Sequence, residues 1–497
     1  MMAGSCEAHL RTSELETRCH ALLAGGGRMQ MAYAWFPEAT AEAELCYLST
    51  QGAGRPFDLW RCPAKGGRVP SLAPVSPLLG WYEREISDLT GVCFEGHPEA
   101  YALVLPAGTE VVAPPLSPDY PAGTPVVYHH QPGRLPDVLG PEVQELPFGP
   151  VRAGVLESAQ FLFFYLGEHI LRYQPRLFFK HRGMEQRFQG CDAGIGTVLA
   201  ERVSGVGSVC HALAYCQAVE AAAGGEVPRR ARHLRVLLAE LERLYNHLHY
   251  FSHLAATTTL KLGEAEGLLL EERVKQINAR LSGSRLLRNL LSPGGLRHDL
   301  DPGPDFRHAL TALRPRVMAY LMRLQETGSY IDRLIDTGVL SRRVAFDQGA
   351  TGPVERASGL DRDLRRDHPY AAYDTLPPRV PVRTAGDAAA RAEVRAGEIE
   401  ASFDLIVQLL DQLSPGAVHQ TCPLPPGAEG LGWAEGPRGS LLYAVHVAAD
   451  GLLARVKIKS PSFSNWRVFP YTVHDSNMMD YAINEASFGL TVAGCAR

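Results

Sequence analysis

His181, Arg182 and Glu185 carry the most suggestive spacing in the chain, because residues three and four positions apart share a face when a segment is helical. Desolvation raises the pKa of a glutamate beside a dry cavity and a neighbouring arginine lowers it, which makes a tunable acid. The same residues could equally form a structural ion pair between helices. His249 and His253 are also four apart and could chelate a metal on one helix. No carboxylate or third ligand stands near them, so a helix face at a contact between subunits fits better. The pairs Gly194/Gly196 and Gly205/Gly207 neither follow a clear strand nor complete GxGxxG, so NAD is not expected to bind this chain. The ten cysteines contain no CxxC. That excludes zinc-ribbon, thioredoxin-like and ferredoxin-like sites, and leaves the chain without thiolates for an iron–sulfur cluster of its own.

The elements that must hold these residues follow from composition and periodicity. With 497 residues, 45% hydrophobic and 21% charged, the chain has room for two to four folded domains. A net charge of −5, from 49 basic and 54 acidic residues, gives no footprint for nucleic acid. The first twenty residues lack an apolar run, so no signal peptide is expected. The longest apolar stretch, 161–171, is too short to span a bilayer. Scattered cysteines fit reduced thiols in a cytosolic protein.

Residues 1–28 read as a tail and 29–104 as a small α+β unit with a helix near 78–89. Residues 105–148 read as a connector, because the eleven prolines from 106 to 150 exclude regular helix or central sheet. Beyond 149 the pattern turns to long helices. Leu234, Leu237, Leu238, Leu241, Leu244, Tyr245, Leu248 and Phe251 form one stripe with Arg and Glu opposite, and similar stripes cover 263–291, 306–337 and 388–413. Strand-like runs at 440–447 and 452–458 flank a turn-prone Asp450-Gly451. The expected fold is α+β: a small N-terminal α+β domain, then a large, mainly helical bundle with a β-hairpin. The run 361–367 is mixed in sign and reads as a solvated surface.

The motifs resemble a family. Residues 80–98 (GWYEREISDLTGVCFEGHP) resemble the signature of the 30 kDa subunit of NADH–quinone oxidoreductase, respiratory complex I. Residues 149–497 resemble the 49 kDa subunit of that complex and the large subunit of membrane-bound NiFe hydrogenases of the formate hydrogenlyase type. The segments that carry this are 149–152 (GPVR), 180–185 (KHRGME), 241–247 (LERLYNH), 352–359 (GPVERASG), 363–370 (DLRRDHPY), 435–439 (EGPRG) and 460–466 (SPSFSNW), in the family's order.

The resemblance also shows where this chain departs. The hydrogenase motif RxCGxCxxxH matches Arg202 to His211, with Ser204 and Gly207 at the two cysteine positions. The second motif, DPCxxC, matches the C-terminal end with Thr491 and Gly494 in place of cysteines, while Cys210 and Cys495 lie out of register. Hydroxyls and glycines cannot build a soft thiolate site, so neither a NiFe centre nor hydrogen activation is expected, and no metal ligand is assigned. Complex I holds the quinone headgroup with a His and a Tyr at positions occupied here by Arg152 and Gly205, which puts ordinary quinone reduction in doubt. The pattern best resembles hydrogenase-related membrane complexes that lack the metal-binding cysteines.

By resemblance, Glu185, Arg182 and Arg438 are the candidate catalytic groups, Glu185 as a proton relay and Arg438 overhanging the site. Arg152, His181, Arg202, Ser204, Gly205, Gly207, His211, Thr491 and Gly494 line the expected acceptor cavity, with His211 leaning towards a structural hydrogen bond. Arg438, if buried, needs a carboxylate, a ligand or water. The resemblance implies electrons from a 4Fe-4S cluster in a separate iron–sulfur small subunit, which the 361–367 run would contact. It also implies membrane partners of the ion-translocating kind and a place on the cytoplasmic, inner face of the membrane. Two alternatives stand: a quinone reductase with other headgroup ligands, and a non-catalytic scaffold.

Overall fold

A computed structural model describes residues 2, 5–37, 42–106, 108–121, 124, 127–128, 140–152 and 157–497. The first unit is a four-stranded sheet of β1 (Ser5–His9), β2 (Arg28–Trp35), β3 (Glu44–Thr50) and β4 (Phe57–Pro63) in the order β1-β4-β3-β2. β1 runs parallel to β4 and the other pairs are antiparallel. Helix α1 (Thr12–Ala24) buries Leu15, Cys19 and Leu22, which recur at four and three residues. Residues 5–24 are therefore not a tail: they supply an edge strand and a packed helix. Helix α2 (Gly80–Thr90) lies where the periodicity predicts and ends at Gly91, whose φ of 78° gives the left-handed turn that stops a helix.

A second four-stranded sheet, unforeseen in the sequence, holds β5 (Gln144–Phe148), β6 (Gln160–Leu166) and β7 (His169–Arg176). The apolar run 161–171 becomes the β6–β7 hairpin, with Leu166 opposite His169. Part of the expected connector lies outside the described residues.

The remainder includes α3 (Met184–Arg187), α4 (Ala193–Ala200), α5 (Ser208–Ala223), α6 (Arg229–Thr257), α7 (Lys261–Ser282), α8 (Pro304–Glu326), α9 (Pro353–Ala357), α10 (Leu364–Asp367) and α11 (Ala388–Gln412), with short helical turns at Gly328–Ile331 and Arg342–Asp347. A three-stranded antiparallel sheet follows, β8 (Glu429–Gly436), β9 (Gly439–Val447) and β10 (Leu453–Lys459), then α12 (Pro461–Val468). Strand β11 (Ser476–Asn477) completes the second sheet in the order β11-β7-β6-β5. Helices α13 (Tyr481–Phe488) and α14 (Val492–Ala496) close the chain.

Helix α6 buries its leucine stripe as expected, but Arg235, Glu240, Glu242 and Arg243 on its polar side are buried too. It is the central helix, enclosed along most of its length, with His249 and His253 left exposed. Sheet β8–β10 reaches α5 only because β8 carries glycines. A Cβ at Gly430 or Gly432 would lie 2.0 or 2.1 Å from the carbonyls of Ala218 and Ala214. One apolar core runs from Leu45, Tyr47 and Leu59 of the first sheet to Leu442, Phe463 and Trp466. Among the described residues no helix is long and apolar enough to cross a membrane.

Candidate functional site

Two segments far apart in sequence, 202–207 and 489–494, are laced together by two arginines. Arg182 donates from Nη1 to the Arg202 carbonyl (2.9 Å) and from Nη2 to those of Val203 (2.6 Å) and Ala493 (3.2 Å). On the other side Arg438 Nε donates to the Gly489 carbonyl (2.7 Å) and Nη1 to Asn246 Oδ1 (2.6 Å). The Asn246 amide in turn donates to the Val206 carbonyl at 2.8 Å. Sequence reasoning does not single out Asn246, although it sits within the 241–247 motif.

Helix α14 starts from Thr491, whose Oγ1 accepts from Gly494 N (3.2 Å). Glu157 accepts from the Val492 and Ala493 amides at 2.5 and 3.0 Å, a carboxylate at a helix N-terminus. Nothing in the sequence marks Glu157 for this role. Ser462 Oγ bonds Thr491 Oγ1 at 3.2 Å. The cradle is therefore occupied by its own hydroxyls: a Cβ at Gly494 would lie 2.6 Å from Thr491 Oγ1 and 3.3 Å from Ser462 Oγ. Removing the cap with Thr491→Ala should lower stability by about 1 kcal/mol in urea unfolding; an unchanged midpoint would show that Glu157 alone holds the helix start.

The cysteines nearby do not restore a ligand set. Cys210 and Cys495 are buried, and burial drives both thiols far above their ordinary pKa, against the thiolate a metal needs. With Ser204, Gly207, Thr491 and Gly494 at the matched positions, the residues present do not fit a NiFe centre. At the positions that the resemblance matches to the quinone-holding His and Tyr, Arg152 pairs with Glu485 (3.2 Å) and lies over the Phe161 ring. A side chain at Gly205 would press on Arg288, whose Nη2 donates to the Gly205 carbonyl at 3.1 Å.

Glu185 does not face Arg182. The helical stretch begins only at Met184, so His181 and Arg182 precede it and turn to backbone carbonyls. His181 Nδ1 bonds the Ala496 carbonyl at 2.8 Å. Glu185 instead meets Arg455 (2.6 Å), Lys457 (3.1 Å) and Arg497 (3.3 Å), while Lys457 and Arg497 also hold Glu85 of α2 at 2.6 Å. Burial alone would raise its pKa, but Lys457, Arg455 and Arg497 outweigh that and hold it well below the usual carboxylate range. The partner expected from spacing is thus replaced by three cations from the C-terminal part of the chain.

Arg438 has no carboxylate partner among the described residues; its bonds go to neutral oxygens. Burial, with Arg395 nearby, brings it down to about 10. Arg202, half exposed, touches the buried Glu201 (3.2 Å). His211 Nδ1 bonds Tyr443 Oη at 2.8 Å, and burial pushes its pKa down to about 3, so it is neutral. His249 finds a carboxylate the sequence did not suggest, Glu271 at 3.1 Å. No group of three or more potential metal ligands occurs among the described residues.

The run 361–367 is not solvated as a whole. Asp363 and Arg365 are buried in a hub that joins four of the sequence motifs. Arg365 bridges Asp363 (2.7 Å) and Glu240 (3.1 Å). Arg356 contacts Asp363 (3.3 Å), Glu435 (3.1 Å) and Glu398 (2.7 Å), and Glu398 also takes Arg243 (3.0 Å) and His247 (2.8 Å).

Three protein-family profiles match: Respiratory-chain NADH dehydrogenase, 49 Kd subunit, over 268–425; its 30 Kd subunit over 57–126; and Nickel-dependent hydrogenase over 182–265. The chain is 30% identical to Formate hydrogenlyase subunit 5 of Escherichia coli (strain K12), covering 83% of this chain and 74% of that protein. The chain belongs to the family of complex I 30/49 kDa subunits and hydrogenase large subunits. Another member, the fused C/D subunit of NADH-quinone oxidoreductase from Gluconacetobacter diazotrophicus, is also 30% identical, over 85% of this chain and 78% of its own length. A chain in the solved membrane-bound sulfane sulfur reductase, an archaeal respiratory membrane complex, superimposes with a TM-score of 0.67 at 27% identity, over 72% of this chain and 99% of that one. Members of this family are subunits of oxidoreductase complexes.

Proposed function

We propose that this chain is the large subunit of a membrane-associated, complex I-like or formate hydrogenlyase-like oxidoreductase that works without a NiFe centre. It takes electrons from a 4Fe-4S cluster in a partner small subunit and delivers them to an acceptor held in the laced cradle. Membrane partners couple that transfer to ion movement on the cytoplasmic side. The observation that carries this reading is the cradle itself, in which Thr491 caps α14 and, with Ser462, fills the space a thiolate at 494 would need. Two hard, weakly acidic hydroxyls and two glycines in place of four thiolates give nickel no soft ligands.

Metal analysis of the purified assembly tests it directly. Iron should follow the small subunit alone, with nickel at trace level; stoichiometric nickel would sink the proposal. Arg438 bonds neutral oxygens rather than a carboxylate, and Arg182 Nε is buried without a partner among the described residues, so the cradle suits an acceptor that carries oxygen or negative charge.

A scaffold reading is favoured by one observation, the enclosure of Glu185 among three cations, which leaves it ionised and unsuited to relaying protons. Arg438→Met separates the readings. An assembly that stays intact and keeps its turnover supports the scaffold; an intact assembly with lost turnover supports the acceptor site.

A further inference from the structure

Strand β7 is paired on both sides only at its start. β11 meets it at His169 and Ile170, and from Leu171 to Arg176 its outer edge has no neighbouring strand among the described residues. The chain leaves that edge at Asp475, whose N–H donates to the Ile170 carbonyl (2.9 Å). A cleft of about 910 Å³ opens alongside, bordered by residues 172–179, by Pro470, Tyr471 and His474, and by residues 97–106 of the N-terminal unit.

Its chemistry is one-sided. Arg84, Arg172, Arg176 and Arg467 line it against a single carboxylate, Glu99, in a chain whose overall charge is −5. Arg172 is exposed and pairs with no carboxylate among the described residues. Gln174, on the same strand face two residues on, has a buried Oε1 without a donor. Tyr101, Phe179 and Tyr471 are each about half exposed along the cleft. An open edge offers N–H and C=O groups, Gln174 needs a donor, and Arg172 needs an anion. A phosphate satisfies only the last of these; an acidic polypeptide satisfies all three.

We propose that this cleft receives an extended, acidic segment of a partner protein, which adds as a further strand to the outer edge of β7, its carboxylates towards Arg172 and its apolar side chains against Phe179 and Tyr471. Pro175 removes one donor from the edge, which discourages indiscriminate strand pairing while leaving its carbonyl to accept. The inference goes beyond the reading of the cradle and does not depend on it, because no residue is shared between the two.

The test uses the full chain and a short fluorescein-labelled peptide of alternating Glu and Tyr, followed by fluorescence anisotropy. The acidic peptide should bind, and a Lys/Tyr counterpart should not. Arg172→Glu should weaken binding roughly tenfold through loss and reversal of one charge contact, with an unchanged thermal melt. Tyr471→Ser serves as a second variant and should also weaken it. Methylating alternate amides of the acidic peptide should abolish binding, since strand addition needs them. Equal binding of the methylated peptide, or displacement by inorganic phosphate, would reveal a plain anion site and overturn the proposal. So would indifference to Arg172→Glu, or no binding at millimolar peptide.

Discussion

Glu185→Gln should destabilise the chain by about 3–5 kcal/mol, the usual penalty for leaving buried charge uncompensated. The amide keeps the shape but removes the negative charge that faces Arg455, Lys457 and Arg497, of which only Lys457 and Arg497 also hold Glu85. Urea unfolding measures the loss, and Arg455→Met added to Glu185→Gln should recover part of it by removing the stranded cation. The pH dependence has a definite sign. The folded carboxyl is held well below its ordinary value of 4.5, so its contribution is present above that value and fades as pH falls towards the folded pKa. The wild type should lose stability below about pH 4.5, and the variant should be flatter there. A variant that unfolds at the wild-type urea concentration yet loses turnover would point back to proton relay and defeat the ion-cluster account.

A second large effect is expected at Glu398. Its two oxygens serve Arg356, Arg243 and His247, and the pull of Arg356 and the bond from His247 hold it far below the usual carboxylate range despite full burial. Glu398→Ala leaves two guanidinium groups facing a void inside the helical bundle. The loss should again be about 3–5 kcal/mol or more, enough to remove much of the stability of an ordinary domain. Circular dichroism melts and the yield of soluble protein report it. Glu398→Asp, which keeps the charge one methylene short, should recover a large share. If Glu398→Ala melts like the wild type, the hub is decorative and the family motifs need another explanation.

The long helices are legible because leucines recur at three and four residues, and the β9–β10 hairpin because Asp450-Gly451 marks its turn. The register that sets Ser204, Gly207, Thr491 and Gly494 against the cysteines of the resembled motifs is a reading of the sequence alone. Other features are hidden for physical reasons. Helix α1 buries only three residues, and a narrow stripe beside charges resembles a tail. Residues 361–367 look like surface because Glu240, which meets Arg365, comes from α6, 125 positions away, and Asp363 is met by Arg365 and Arg356 only once the chain has folded. Spacing assigns Arg182 the wrong partner because its true partners are main-chain carbonyls, which every residue possesses and no pattern advertises. The open edge of β7 cannot be seen at all, since an unpaired strand and a paired one share the same alternation.

The salt cluster of Glu85, Glu185, Arg455, Lys457 and Arg497, together with the continuous apolar core, makes the first 100 or so residues a wedge set into the larger body rather than a bead on a string. Covalent linkage between the two parts then supplies proximity, while their mutual orientation is dictated by interlocked charges and side chains. Arg497, which ends α14, holds Glu85 and Glu185 alike, so the helix bearing Glu85 is tied directly to the one that starts at Thr491.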